Sequence, residues 1–260
     1  MLNPDAYTAI LIEKRENGVA IATLNRPDKR NAVDDAMHGE LAELPRDVEA
    51  DPEVKVLVIT GTGRAFCAGG DFAGGLHPGP RMWREARRIV DSLLDCQKPV
   101  LTALNGYAMG LGSTLALLGD VVFAARSATF ADTHVRMGIA AGDGGQLIWP
   151  LLMGVNRAKY YLMTGDRLSA QEAERLGLVN FVVVDDELME RALELADRLA
   201  AGPSLAISAS KVAVNQYIKM VSNVVLPLSL KLEEWTMRSE DFREAVIAFA
   251  QKRDPEYKGR

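Results

Sequence analysis

Cysteine is nearly absent: Cys67 and Cys96 are the two in 260 residues. Two thiols cannot build a disulfide framework, so a reducing compartment is expected, the cytoplasm by default. Histidine is as scarce, with His38, His77 and His134. No cysteine pair has ligand spacing, and no metal is expected. The first residues, Met1-Leu2-Asn3-Pro4-Asp5, lack the basic and apolar regions of a signal peptide, so export is not expected. No sign of charge dominates: 30 Lys and Arg stand against 35 Asp and Glu, interspersed, for a net charge of -5. Without a basic stripe nothing points to nucleic acid. A membrane span is missing too. The longest apolar region, residues 108–125, is interrupted by Gly110, Gly112, Ser113, Thr114, Gly119 and Asp120. By length it is a buried helix followed by a buried strand.

What remains is ordinary globular material, 48% hydrophobic and 25% charged, enough for one large domain or a domain with an appendage. Residues 10–13 and 19–24 are a strand pair around the turn Glu16-Asn17-Gly18. Residues 25–31 form a loop. Asp34 or Asp35 caps a helix to about residue 49, and Pro45 should kink it. Residues 54–60 are a β-branched run, the mark of a strand buried on both faces. Residues 61–71 form a glycine-rich loop, and residues 72–80 should be mobile. A helix over 81–95, a strand over 98–104, helices over 146–153 and 157–164, and a capping box at 169–173 follow; the capped helix stops at Gly177. A strand over 179–184 and a helix over 187–201 complete the alternation. Everything from Ser204 is helical, with Pro227 as a break. The pattern predicts an α/β core over residues 1–200 and a helical segment over 201–260.

Two glycine loops, residues 61–71 and 106–114, each follow an apolar strand. Glycine there permits tight strand-to-helix packing or close approach to a ligand. The second loop feeds a buried helix, whose first N–H groups can face a developing negative charge. A dinucleotide fingerprint fails in both, because Leu115 and Phe66 stand where the third glycine belongs. No Walker lysine follows either loop, and Ser113 lacks the flanking glycines of a nucleophile elbow.

Several segments together carry a resemblance. They are Asn25-Arg26-Pro27 with Asn31-Ala32, Phe66-Cys67-Ala68-Gly69-Gly70-Asp71, Lys98-Pro99-Val100 with Asn105-Gly106-Tyr107-Ala108, Leu162-Met163-Thr164-Gly165, residues 170–179, and the ending 249–260. In this order, over nearly the whole chain, the sequence resembles the crotonase (enoyl-CoA hydratase/isomerase) superfamily. The resemblance implies an α/β spiral of ββα units with a C-terminal helical segment that packs homotrimers, often paired into hexamers. It implies acyl-CoA thioester substrates, with coenzyme A present only as part of the substrate. It also implies an oxyanion hole from the backbone N–H groups of Gly70 and Leu111. Two such preorganised donors are worth about 3–4 kcal/mol each to a thioester enolate. Ala32, Ala68 and Asp71 fall in the substrate-binding segments. Lys29, Arg30 and Lys252 would lie near the coenzyme's phosphates; their other reading is a solvated face.

The two glutamates of a hydratase are missing. Thr114 and His134 stand in their places, and threonine is no general base near neutral pH. An imidazole titrates near pH ~6.5 and exchanges protons at working pH. Asp143, nine residues on, is the candidate partner for His134. Their plain structural roles would be a helix N-cap for Asp143 and a satisfied buried histidine for His134. His134 with Asp143 and Trp149-Pro150 is similar to the β-diketone hydrolases of the same superfamily, the 6-oxocamphor hydrolase type, whose distal glutamate aligns with Glu233 or Glu234. Three functions are therefore expected to compete: hydration or isomerisation of an enoyl-CoA, hydrolytic carbon–carbon cleavage beside a carbonyl, and silent acyl-CoA binding.

Overall fold

The computed structural model describes residues 1–72 and 74–260. A hairpin opens the chain, β1 (Ile10–Lys14) and β2 (Val19–Leu24), and leads to α1 (Asp35–Ala50). Asp34 caps α1 by accepting from the Met37 N–H, and the helix runs on through Pro45. Next come β3 (Val56–Gly61), β4 (Ala65–Cys67) and α2 (Pro80–Asp95), then β5 (Val100–Leu104), β6 (Tyr107–Met109) and α3 (Leu111–Leu117). The third passage is β7 (Val121–Ala125), β8 (Thr129–Ala131), a short 3₁₀ turn (His134–Met137) and α4 (Gly145–Met153). The chain continues with α5 (Val155–Thr164), β9 (Leu168–Ser169), α6 (Ala170–Leu176), β10 (Phe181–Val183), α7 (Leu188–Ala200), α8 (Ser204–Thr236) and α9 (Glu240–Gln251).

Among the described residues the strands form two sheets. One has the order β1-β2-β3-β5-β7-β10, the other β4-β6-β8-β9. Three successive passages send one strand to each sheet in the same sense: β3 then β4, β5 then β6, β7 then β8. The result is a spiral of ββα turns. Beyond the β1–β2 hairpin the large sheet is parallel, as are β4, β6 and β8. Val56, Leu57, Val58, Ile59 and Thr60 of β3 are all buried, as a strand covered on both faces requires. The helix α7 packs across β3, β5 and β7. Its buried Leu188, Ala192, Ala196 and Ala200 recur every fourth residue, a small-residue stripe that lets it sit close to the sheet.

Two expectations need correction. The loop 61–71 contains β4, and the small sheet as a whole went unforeseen. Its strands are two or three residues long, too short for alternation to register. Pro227 does not break the C-terminal helix: α8 is continuous over 33 residues. The missing N–H costs one backbone hydrogen bond, and the helix is held by buried Leu226, Ser229, Leu230 and Glu233 on its inner face. Of residues 72–80, expected to be mobile, Ala73 lies outside the described residues. Within the rest, the N–H groups of Gly74, Gly75 and Leu76 all donate to the Asp71 carbonyl. Phe72 meets Phe242 of α9 edge to face, with centroids 5.5 Å apart. Leu76, Met82, Ile139, Met237 and Phe242 form a second apolar cluster separate from the main core.

Candidate active site

The small sheet positions the site. The loops after β4, β6 and β8 leave the C-terminal ends of three neighbouring parallel strands, where open α/β sheets commonly bind ligands. The β4 loop ends in Gly69-Gly70. Val33 N–H donates to the Gly69 carbonyl and Asp71 N–H to the Val33 carbonyl, both at 2.8 Å. This bridge grips Gly70 from both sides and leaves its own N–H unused among the described residues. Asn31 pins the neighbouring loop, donating to the carbonyls of Thr62 (3.0 Å) and Ala65 (2.8 Å).

The β6 loop turns at Gly110, with φ +51° and ψ −124°, a conformation side chains rarely tolerate. A Cβ there would stand 3.4 Å from Cε1 of His134. The turn starts α3, so Leu111 N–H has no intrahelical partner, and it makes no other hydrogen bond among the described residues. At Gly112 a Cβ would fall 2.4 Å from the Cys67 carbonyl oxygen, so glycine lets α3 sit on the end of β4. Gly70 and Leu111, from separate loops, thus line one narrow cavity, of about 20 Å³, with Phe72, Trp83, His134 and Asp143 also in its wall.

The β8 loop supplies Asp132 and His134. Asp132 Oδ1 lies 2.7 Å from His134 Nδ1 and also accepts the His134 N–H. Asp143 Oδ2 is 3.1 Å from Nε2. Asp143 Oδ1 accepts a 3.3 Å hydrogen bond from the Thr114 hydroxyl. The expected orienting role therefore divides: Asp132 holds the ring from behind, and Asp143 faces its other nitrogen. Asp143 is not the cap of α4, whose N-cap is Gly144. Asp132 was missed in the sequence, although its position two residues before His134 at a strand end was the available signal.

Glu233 completes the cluster from α8, while Glu234 faces outward to Lys231 (2.7 Å) and Arg238 (2.5 Å). Glu233 is 3% exposed, and its Oε2 has no hydrogen-bond partner among the described residues. It fits because residue 142 is glycine, where a Cβ would lie 2.5 Å from that of Glu233. Burial, with Asp143 close by, pushes the Glu233 carboxyl well above the usual range; His134 opposes that rise and Asp132 adds to it. Burial alone would push His134 down, but the facing carboxylates of Asp143 and Asp132 outweigh it and hold the imidazole well above its ordinary value. One ligand-type atom from each of His134, Asp143 and Glu233 lies within 4.8 Å of the others, a spacing a divalent cation would fit. The Nε2 atom of His134 is, however, engaged by Asp143.

The remaining expected residues do not line this cavity. Arg26 bridges Asp71 and Asp34 at 3.1 Å each and donates to the Ala32 carbonyl. Ala68 N–H donates to Arg30 O. Lys29 and Arg30 are exposed, and Lys252 ends α9 in a left-handed turn. One further lining residue was not singled out in the sequence: His38 of α1, whose Nδ1 is 3.0 Å from Glu85 Oε2.

Residues 14–260 match the family model described as enoyl-CoA hydratase/isomerase. The chain is 38% identical over 253 residues to the 1,2-epoxyphenylacetyl-CoA isomerase of Escherichia coli (strain K12), covering 94% of this chain and 97% of that protein. It is 38% identical over 260 residues to a probable enoyl-CoA hydratase of Rhodobacter capsulatus, covering 98% and 100%. Among solved structures, an enoyl-CoA hydratase from Mycobacterium avium subsp. paratuberculosis K-10 superposes with a TM-score of 0.91 at 28% identity, covering 97% and 99%.

Proposed function

Because the chain belongs to the enoyl-CoA hydratase/isomerase family, with which its spiral α/β fold agrees, we propose that it transforms an acyl-CoA thioester through an enolate, using a His134–Asp143 pair where a hydratase has two glutamates. One observation carries this reading: Gly70 and Leu111, whose N–H groups are unused among the described residues, line the same cavity as His134 and Asp143. The amides grip the thioester oxygen, and negative charge develops there as the α-carbon loses a proton in isomerisation, or as water adds at the β-carbon of an enoyl thioester before the α-carbon is protonated. The His134–Asp143 pair exchanges that proton with the α-carbon or with water. Asp132 keeps the ring oriented and balances its charge. Thr114 steadies Asp143 and takes no proton itself. Coenzyme A, carried by the substrate, is the one non-protein group this chemistry calls on.

Glu233 favours a second use of the same machinery. A buried, protonated carboxyl beside the pair can deliver a proton to a leaving carbon, which suits hydrolytic cleavage of a β-dicarbonyl, as in the β-diketone hydrolases of this superfamily. Incubation with crotonyl-CoA and with a cyclic 1,3-diketone separates the two. Hydration or double-bond migration supports the first; turnover of the diketone alone supports the second. Thioester binding without turnover of any panel member, unaltered in His134→Ala, would leave a silent binder.

We also assign Lys29, Arg30 and Lys252 to the coenzyme's phosphates. Neutralising them should raise KM for a CoA thioester but not for the matching pantetheine thioester. Residues 201–260 are assigned to subunit packing in a homotrimer or hexamer, on the exposed apolar ridge of α8 that includes Tyr217, Met220, Val224, Leu228 and Trp235. Light scattering on Val224→Asp tests it; an unchanged mass would reject that face. Among the described residues no helix is long and apolar enough to cross a membrane.

A further inference from the structure

One polar residue of the cavity wall takes no part in the proton chemistry proposed above. His38 on α1 is almost fully buried, yet its ring lines the same cavity as His134. Its Nδ1 is 3.0 Å from Glu85 Oε2 of α2. Arg81 holds the other oxygen of that carboxylate at 2.7 Å, which keeps it an acceptor. An ionised acceptor on Nδ1 puts a proton on that nitrogen and makes Nε2 the ring's remaining polar atom. Nε2 makes no hydrogen bond among the described residues. Besides His134, Asp143 and Glu233, the cavity is lined by the apolar Phe72, Leu76, Met82, Trp83 and Ala86. When the cavity is filled, an imidazole nitrogen facing it gives up water, and the occupant must supply the replacement partner.

We propose that His38, oriented by Glu85, is a specificity-determining residue that recognises a hydroxyl on the acyl chain, and that the enzyme acts on hydroxylated acyl-CoA thioesters in preference to plain alkyl ones. With Nδ1 committed to Glu85, Nε2 is the ring atom that meets the substrate hydroxyl. An alkyl analogue leaves that nitrogen unpaired, and sites built to bond a hydroxyl discriminate strongly against its absence. His38 takes no proton from the reacting carbons, so it is not a catalytic residue. The proposal rests on the acyl-CoA reading above and adds to it the class of acyl group.

The test uses two α,β-unsaturated acyl-CoA thioesters of equal chain length, one ending in a methyl and one in a hydroxyl. Wild type is expected to favour the hydroxylated substrate in kcat/KM by tenfold or more. His38→Leu should bring the ratio to within about twofold of unity. Glu85→Gln, which removes the charge fixing the tautomer but leaves the ring in place, should give an intermediate ratio. Both substrates are measured on one preparation, so any loss of folded protein cancels from the ratio. A wild-type ratio at or below unity, or one that His38→Leu leaves intact, overturns the proposal. Should wild type turn over neither thioester, the acyl-CoA activity falls instead, and the same ratio is read from the two dissociation constants.

Discussion

Replacing Glu233 with glutamine should change how stability depends on pH, and by more the higher the pH. An ionised Glu233 would interact with the Asp143 carboxylate and the His134 imidazolium over at most 4.8 Å. At an effective dielectric of ~20, each pair is worth about 3–4 kcal/mol, repulsive in one case and attractive in the other. The two nearly cancel, so burial decides, and the carboxyl stays protonated well above its usual range. The unfolded chain releases that proton near pH ~4.3, while the folded chain keeps it. Above pH ~4.3 the folded state therefore binds more protons than the unfolded state, and stability falls as pH rises until Glu233 ionises in the fold. The fall is at most about 1.4 kcal/mol per pH unit. His134 has the same sign: its contribution is complete below pH ~6.5 and is lost as pH rises through its elevated folded value. That part is shared by both proteins and drops out of their difference to first order. Glutamine has no proton to lose. The difference in Tm between Glu233→Gln and wild type should thus climb from pH 5 to pH 8, by about 2–4 °C per kcal/mol for a chain of this size. Calorimetry across that range is the assay. A constant offset from the amide's own imperfect bonding is immaterial; a pH-independent difference would mean Glu233 is an ordinary ionised carboxylate, and the account of the cluster would fail.

Other perturbations address the remaining parts. Asp132→Asn should lower kcat by about 10²–10⁴-fold with KM nearly unchanged, because the ring loses its charged support while the cavity wall is untouched; steady-state kinetics checks it. Gly110→Ala should cost about 1–3 kcal/mol, from a φ of +51° and contact with the imidazole, seen as a lower Tm together with lost turnover. Burial pushes the Cys67 thiol up to about 12, so iodoacetamide at pH 8 should leave it unmodified in the folded protein and label it in urea, as read by mass spectrometry.

The residues around the cavity were more legible in the sequence than the contacts between them. Gly70, Leu111 and His134 were picked out through the family resemblance, which fixes their places within short motifs, and Asp143 as the partner that resemblance left for His134. The structure places all four around one cavity. Asp132 did not stand out, because an aspartate two residues before a histidine has many ordinary uses. The choice between Glu233 and Glu234 needed the rotation of a 33-residue helix, which no local pattern supplies. His38 and Glu85 are 47 residues apart on two helices, and their contact exists only through tertiary packing. Among elements, the long buried strands and capped helices were readable, and the two- and three-residue strands of the small sheet were not.

The satellite cluster that joins Leu76 and Met82 to Met237 and Phe242 has a consequence for descent with change. Two of those side chains, Leu76 and Met82, also line the cavity that holds His134 and Asp143, and neither can carry a proton. Swapping bulk among these few positions can reshape the cavity while the polar residues around it stay in place. Lineages with this scaffold could therefore alter what the cavity admits one side chain at a time.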